Sequence, residues 1–275
     1  MITQSKKALL GSVMLLIICL VAIFARSIAP YDPTAINSAN TLAAPSAEHI
    51  LGTDNFGRDL FSRIIVGSQI SLGIPLLVVI ISLAIGVPLG LISGYYGGRT
   101  DLIITGITNC LLCFPTILLT LALATIMGGG AKVVLIALGI GFSPKLIRLI
   151  RSVTLSVRER EYIDAAIVAG ETRGSIMLRY ILPNTLAPIV IQATLTMSSA
   201  VLEEAAISYL GYGVQPPNAS WGLLLSDYSK FIWKAPRLCL LPGLAIMFLV
   251  LAINFFGDGL RDILDPKYKG QVNKL

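Results

Sequence analysis

Long apolar runs alternate with short polar segments along the 275-residue chain. A membrane-spanning helix needs about 20 mainly apolar residues, and about six runs reach that length. The first expected span covers residues 8–29, behind Lys6 and Lys7. Residues 30–68 read as a polar connection rich in Pro, Asp, Asn and Ser. Further spans are expected over 71–93, 101–127 and 131–150, the last kinked at Pro144, with Gly128-Gly129-Gly130 as a tight turn. Residues 151–184 form the longest charged stretch, 185–210 a fifth span, and 238–256 a sixth. The first run resembles a signal peptide, with small residues at Ser27 and Ala29. Its apolar core exceeds the about 7–15 residues of such a segment and more spans follow, so it reads as an uncleaved anchor.

The expected fold class is therefore all-α, a polytopic membrane protein of about six transmembrane helices. The chain divides into residues 1–29, a cytoplasmic N-terminus with the first span, and 30–68, an extracytoplasmic segment. Residues 69–257 form a core of five spans containing the cytoplasmic loop 151–184, and 258–275 form a cytoplasmic tail.

Composition agrees with this picture. Hydrophobic residues make up 55% of the chain and charged residues 13%, with a mean hydropathy of +0.81. Soluble domains carry about 25% charge, so a water-covered surface could not be built from this supply. The net charge of +6 does not mark a nucleic-acid stripe, because the basic residues sit between apolar runs. With both termini in the cytoplasm, 14 of the 21 Lys and Arg residues fall on the inner side. That excess satisfies the positive-inside rule. Arg-rich residues 145–179 would otherwise lie outside.

Candidate chemistry is sparse. Cys19, Cys110, Cys113 and Cys239 all lie in apolar stretches, where thiolates are disfavoured, so Cys110-Leu111-Leu112-Cys113 reads as packing. His49 stands in a polar loop without Cys or acidic clustering in sequence, and no metal site is expected. No G-x-x-x-x-G-K-[ST], G-x-S-x-G or H-E-x-x-H pattern occurs, so neither ATP hydrolysis nor an intramembrane hydrolase is expected of this chain. Gly86, Gly90 and Gly94 recur every four residues, which suits close helix packing in lipid. Glu203 and Glu204 are adjacent acids in the outer half of a span, with Gln192 and Thr194 deeper in it. Interfacial placement and a role along a translocation path are both open to the two acids.

The charged stretch carries the main signal. Ile163, Ala166, Ile167 and Gly170 fall on one helical face, while Glu161, Asp164 and Glu171 fall elsewhere. The apolar pattern restarts after Gly170 and Gly174, with Thr172 as the expected cap and Pro183 as the expected end. Two short amphipathic helices joined by a glycine bend would form a surface knob.

The run Asp164-Ala165-Ala166, Gly170 and Ile181-Leu182-Pro183-Asn184 resembles the EAA loop of ABC importer permeases. It departs from that pattern in Asp164, where the family has Glu, and in Tyr180, where relatives often have His. Leu51-Gly52-Thr53-Asp54-Asn55-Phe56-Gly57-Arg58-Asp59 is similar to the signature after span one in the dipeptide/oligopeptide/nickel branch. Residues 204–217, Trp221-Gly222, Pro242-Gly243, 254–262 and Leu264-Asp265-Pro266 resemble the same branch, so the likeness covers about 32–266. The resemblance implies a C-type permease subunit whose EAA helices dock into an ATPase. Glu161, Asp164, Ala165, Ala166, Gly170, Leu182 and Pro183 would make the ATPase-coupling element. Gln192, Glu203 and Glu204 are candidates for the path. Gly57, Arg58, Asp59, Pro216 and Pro217 read either as loop turns or as docking residues for a binding protein.

The implied partners are a second, B-type permease, two ATP-binding subunits, an extracytoplasmic solute-binding protein and the lipid of the inner membrane. The chain itself would bind no cofactor, ATP and Mg being used by the ATPase partners. The expected cargo is a di- or oligopeptide, with nickel or a metal chelate as the alternative. A membrane-embedded enzyme is the reading from another class.

Overall fold

Two long helices running in the same direction form the spine of the molecule. The computed structural model describes Lys6–Leu264. Its helices are α1 (Lys6–Ile23), α2 (Ala25–Ile28), α3 (Leu60–Tyr96), α4 (Gly98–Leu112), α5 (Thr116–Met127) and α6 (Ala131–Arg158). They are followed by α7 (Glu161–Val168), α8 (Arg173–Ser175), α9 (Leu182–Tyr209), α10 (Trp221–Tyr228) and α11 (Arg237–Leu264).

The spine is α3 on α6, the most extensively packed pair. A Cβ placed on Gly86, Gly90 or Gly94 would lie 2.6, 2.7 or 2.6 Å from the Cβ of Leu146, Ile150 or Thr154. Both series advance by four residues in the same sense, so the helices are parallel. In lipid no hydrophobic drive separates helix from solvent, and close backbone approach supplies the attraction instead. Ser82 Oγ donates to the Gly139 carbonyl across the same seam, at 3.0 Å.

The remaining spans run along this pair. In α1, Gly11 faces the backbone of Phe255 and Phe256, and Gly259 faces Ala8, which makes α1 and α11 antiparallel. A Cβ on Gly257 would meet Thr194 Oγ1 of α9 at 2.6 Å. Lys6, Leu264, the start of α9 and α7 therefore share one end of the bundle. The other end gathers the starts of α3 and α6, the end of α9, and α10. There Gly130 N donates to Tyr212 O at 3.0 Å, and Trp221 Nε1 to Ile64 O at 2.9 Å.

Several expected boundaries move, each for a local reason. Asp59 caps α3 by accepting from Ser62 N at 2.8 Å, so the helix begins at Leu60 and absorbs the end of the polar connection. The third expected span is two helices, α4 and α5, bent by 86°. Pro115 supplies the break: it lacks an N–H and biases Phe114 away from helical dihedrals. In contrast, α6 runs through Pro144 and past Ile150 to Arg158. Arg151 and Arg158, expected in the charged stretch after the span, thus stand within the helix.

Pro183 does not end a short helix either. Arg173–Tyr209 is one continuous rod containing a π turn over Ile176–Ile181. A widened turn makes room for a proline ring that would clash with the carbonyl four residues earlier. Asn184 Nδ2 donates to the Tyr180 carbonyl at 2.6 Å in the same turn. The sixth span reaches Leu264, and Asp265, Pro266, Lys267, Lys269 and Lys274 lie outside the described residues.

Candidate functional site

The helix α7 projects from the end of the spine. Glu161 and Asp164 occupy its first turn, where negative charge complements the helix dipole. Ile163 and Ala166 point down and are buried in a cluster with Leu91, Tyr95, Ile150, Val157, Ile176 and Ile181. The expected apolar face included Ile167 and Gly170, but both are exposed. Tyr162, Ile167 and Val168 face outward, Val168 at 89% exposure. Three large apolar side chains of this short helix thus face away from the chain. Glu161, Asp164, Ala165 and Pro183 are exposed around it, and Leu182 is half-buried.

The exit from α7 requires glycine. Gly170 has φ +83°, and Glu171 N reaches back to Ala166 O at 3.1 Å. Nothing lies within 4 Å of a Cβ built there, so the requirement is the left-handed dihedral and not a close approach within this chain. Gly174 is helical inside α8, so the bend belongs to Gly170 alone. Thr172 caps α8 as expected, accepting from Ser175 N at 3.3 Å. Beneath α7 lies a cleft of about 440 Å³ lined by Tyr95, Tyr96, Arg158, Asp164, Glu171 and Arg173, among others. Arg158 and Arg173 lie over Tyr95 and Tyr96, at 6.0 and 5.6 Å from the ring centroids.

At the opposite end, charges turn inward. Asp54 is fully buried and accepts from Phe56 N, Arg58 N, Arg58 Nε and Tyr228 Oη at 2.8, 2.9, 2.6 and 3.0 Å. Arg63 Nε lies 3.7 Å from the same carboxylate, and Arg63 Nη1 donates to Pro33 O at 3.1 Å. Asp59 meets His49 Nδ1 at 2.9 Å, so His49 does have an acidic neighbour in space. Burial raises the Asp227 carboxyl above the ordinary carboxylate range, with Arg63 and Arg58 pulling it down. Arg58 and Asp59 are 8% and 3% exposed, and Gly57 fits against the Asn37 carbonyl. These three candidates for docking are internal turn residues: buried charges must be paired, and the pairing folds the loop onto α10. Pro216 and Pro217 are exposed.

The α9 candidates separate. Glu204 is 1% exposed, accepts from Ser208 Oγ at 2.8 Å, and Ser208 Oγ accepts from Val214 N at 3.1 Å. It ties the end of α9 to the following loop. Glu203 and Gln192 are partly exposed. Cys110 and Cys113 are exposed on α4 and its exit, not packed inside.

Two arrangements were missed in the sequence. Arg151 Nε and Nη2 grip Asp101 at 2.5 and 2.6 Å, joining α6 to the first turn of α4, and Ser93 Oγ donates to Asp101 at 2.5 Å. Lys145, counted among the inner-side charges, is exposed in the middle of α6. An Arg or Lys every third position (145, 148, 151) behind an apolar run was the available signal of a helix face.

Among the described residues, five helices long and apolar enough to cross a membrane, or six with the bent pair, make this a polytopic integral membrane protein with a short exposed helix at one end. Residues 86–270 match the family described as binding-protein-dependent transport system inner membrane component. Residues 2–45 match the N-terminal TM domain of oligopeptide transport permease C. The chain belongs to this family of importer permeases. It is 46% identical over 266 residues to the dipeptide transport system permease protein DppC of Alkalihalophilus pseudofirmus, covering 97% of this chain and 88% of that one. It is 42% identical over 272 residues to the di/tripeptide transport system permease protein DppC of Pseudomonas aeruginosa, covering 97% and 90%. Among solved structures, an inward-facing MetNI methionine ABC transporter chain matches with TM-score 0.61 at 21% identity, covering 74% of this chain and 96% of that chain. That likeness is one of fold.

Proposed function

We propose that this chain is the C-type permease subunit of an ATP-driven peptide importer, set in the cytoplasmic membrane with both termini inside. The observation that carries the reading is α7, whose Tyr162, Ile167 and Val168 face away from the chain while Ile163 and Ala166 anchor it. An ATPase subunit would cover the outward side. Closure of two such ATPases would push α7, and the push would pass through Ile163 and Ala166 to Leu91 and Ile150 on the α3–α6 spine. A B-type permease would complete the path, and a solute-binding protein would deliver cargo near exposed Pro216 and Pro217. The named relatives above handle dipeptides and tripeptides, which supports a short peptide as cargo. ATP and Mg act in the partner subunits, because this chain has no phosphate-binding loop.

The test is co-purification. Val168→Asp places a charge on the exposed apolar tip without touching a span. The ATPase subunits are expected to be lost from the purified membrane complex while the variant inserts normally. Full retention of the ATPase with unaltered uptake would refute the assignment of α7.

A further inference from the structure

At the α7 end of the bundle one carboxylate joins three helices. Asp101, in the first turn of α4, accepts from Arg151 Nε and Nη2 of α6 at 2.5 and 2.6 Å, and from Ser93 Oγ of α3 at 2.5 Å. Both partners stand in stretches that α7 also packs on. Ser93 lies between Leu91 and Tyr95, Arg151 follows Ile150, and those three apolar residues share the cluster that receives Ile163 and Ala166. The same part of the spine thus holds α7 on one side and α4 on the other. Little else in this chain fixes α4. Thr108 is its one buried residue, and Leu102, Ile103 and Ile107 are exposed. A second polar tie, Arg148 Nη2 to Asn109 Oδ1 at 2.9 Å, is itself exposed. Both ends of α4 are breaks: Gly97 and Gly98, at φ +65° and +54°, precede it, and the 86° bend at 113–115 follows. Cys113, Phe114 and Pro115 are exposed in this chain. Non-helical backbone inside a span is tolerated against protein or a water-filled cavity, so the bend borders the interior of the assembled transporter.

We propose that Asp101 is a positioning residue for transport, making α4 follow the spine when α7 is displaced and so carrying the ATPase stroke to the bend at 113–115. The inference rests on the reading of α7 as the coupling helix and extends it into the third span. An apolar contact can slide, whereas a carboxylate gripped through both oxygens by one guanidinium fixes direction as well as distance. Ser93 Oγ adds a bond from the neighbouring helix, so α3 and α6 act on α4 at one point. The left-handed glycine pair lets α4 pivot at its start, and Asp101 sets where it goes. Without that carboxylate, α4 keeps one exposed tie and a single buried side chain, and the stroke would stop at the spine.

The experiment uses the whole transporter in proteoliposomes, with its binding protein loaded with radiolabelled dialanine. Uptake and binding-protein-stimulated ATP hydrolysis are measured together. Asp101→Ala is expected to lower the dialanine imported per ATP by about fivefold or more, with hydrolysis within about twofold of wild type. Asp101→Glu, which keeps the carboxylate, is expected to restore most of that ratio. Should Asp101→Ala fail to assemble, Asp101→Asn carries the same expectation with the shape of the side chain preserved. Exposed Cys110 reports on α4 directly once Cys19, Cys113 and Cys239 are changed to Ser. Its alkylation by a water-soluble maleimide is expected to differ severalfold between nucleotide-free and ATP-trapped complexes, and the difference to vanish in Asp101→Ala. A pair that served stability alone would not alter that nucleotide dependence. Equal Cys110 reactivity in both states of the otherwise wild-type complex, or a wild-type import ratio in Asp101→Ala, would overturn the role of Asp101. Full coupling in Val168→Asp would instead remove the α7 reading on which it rests.

Discussion

Gly90→Ala tests the spine most directly. The added Cβ would stand 2.7 Å from Ile150 Cβ, 2.9 Å from Ile150 Cγ2 and 3.0 Å from the Ile147 carbonyl oxygen. Ordinary carbon contacts lie near 3.5–4.0 Å, so α3 and α6 must part locally by roughly 1 Å. One of the opposing atoms is backbone and another is the root of a β-branched side chain, so neither can rotate out of the way. Overpacking of this kind costs about 1–3 kcal/mol, set against a helix-propensity gain for alanine of up to about 1 kcal/mol. Gly73 is the internal control: it lies in the same helix and a Cβ there meets nothing within 4 Å. Unfolding of both purified variants by SDS titration in mixed micelles gives the comparison. Gly90→Ala is expected to be less stable than Gly73→Ala by about 2 kcal/mol. Equal stability of the two would mean that the glycine repeat does not set the α3–α6 distance.

Four further outcomes are expected. Asp54→Ala leaves Arg58 and Arg63 buried beside an empty place and should destabilise the chain by about 3–5 kcal/mol in the same titration. Gly170→Val forces a β-branched residue to φ +83°, at about 1–2 kcal/mol or more; membrane insertion should survive while ATPase co-purification or coupled uptake falls, and Asp164→Lys should do so less completely. Reporter fusions after Met127 and Gly213 should read extracytoplasmic and a fusion after Arg158 cytoplasmic; the reverse pattern would invert the proposed orientation. The purified chain without partners should hydrolyse ATP at background rate, and measurable turnover would refute the assignment of hydrolysis to other subunits.

The class of this protein was legible without coordinates, because the requirement for about 20 apolar residues per span is a property of composition along the chain. The glycine repeat at 86, 90 and 94 was equally local, since helical periodicity alone puts the three residues on one face. Thr172 as a cap and the family motif in 161–184 belong to the same kind of information. Tertiary structure decided what depends on a partner distant in sequence. Arg58 and Asp59 looked like surface turn residues until Asp54, Tyr228 and His49 were seen to enclose them. Glu203 and Glu204 are neighbours in sequence but about 100° apart on a helix, so Glu204 meets Ser208 inside the fold while Glu203 stays partly exposed. Proline showed the same division. Pro115 breaks a span, whereas Pro144 and Pro183 sit inside continuous helices, because neighbouring segments and a widened turn accommodate them. Spacing along the chain determines which helical face a residue occupies; only packing determines what that face meets.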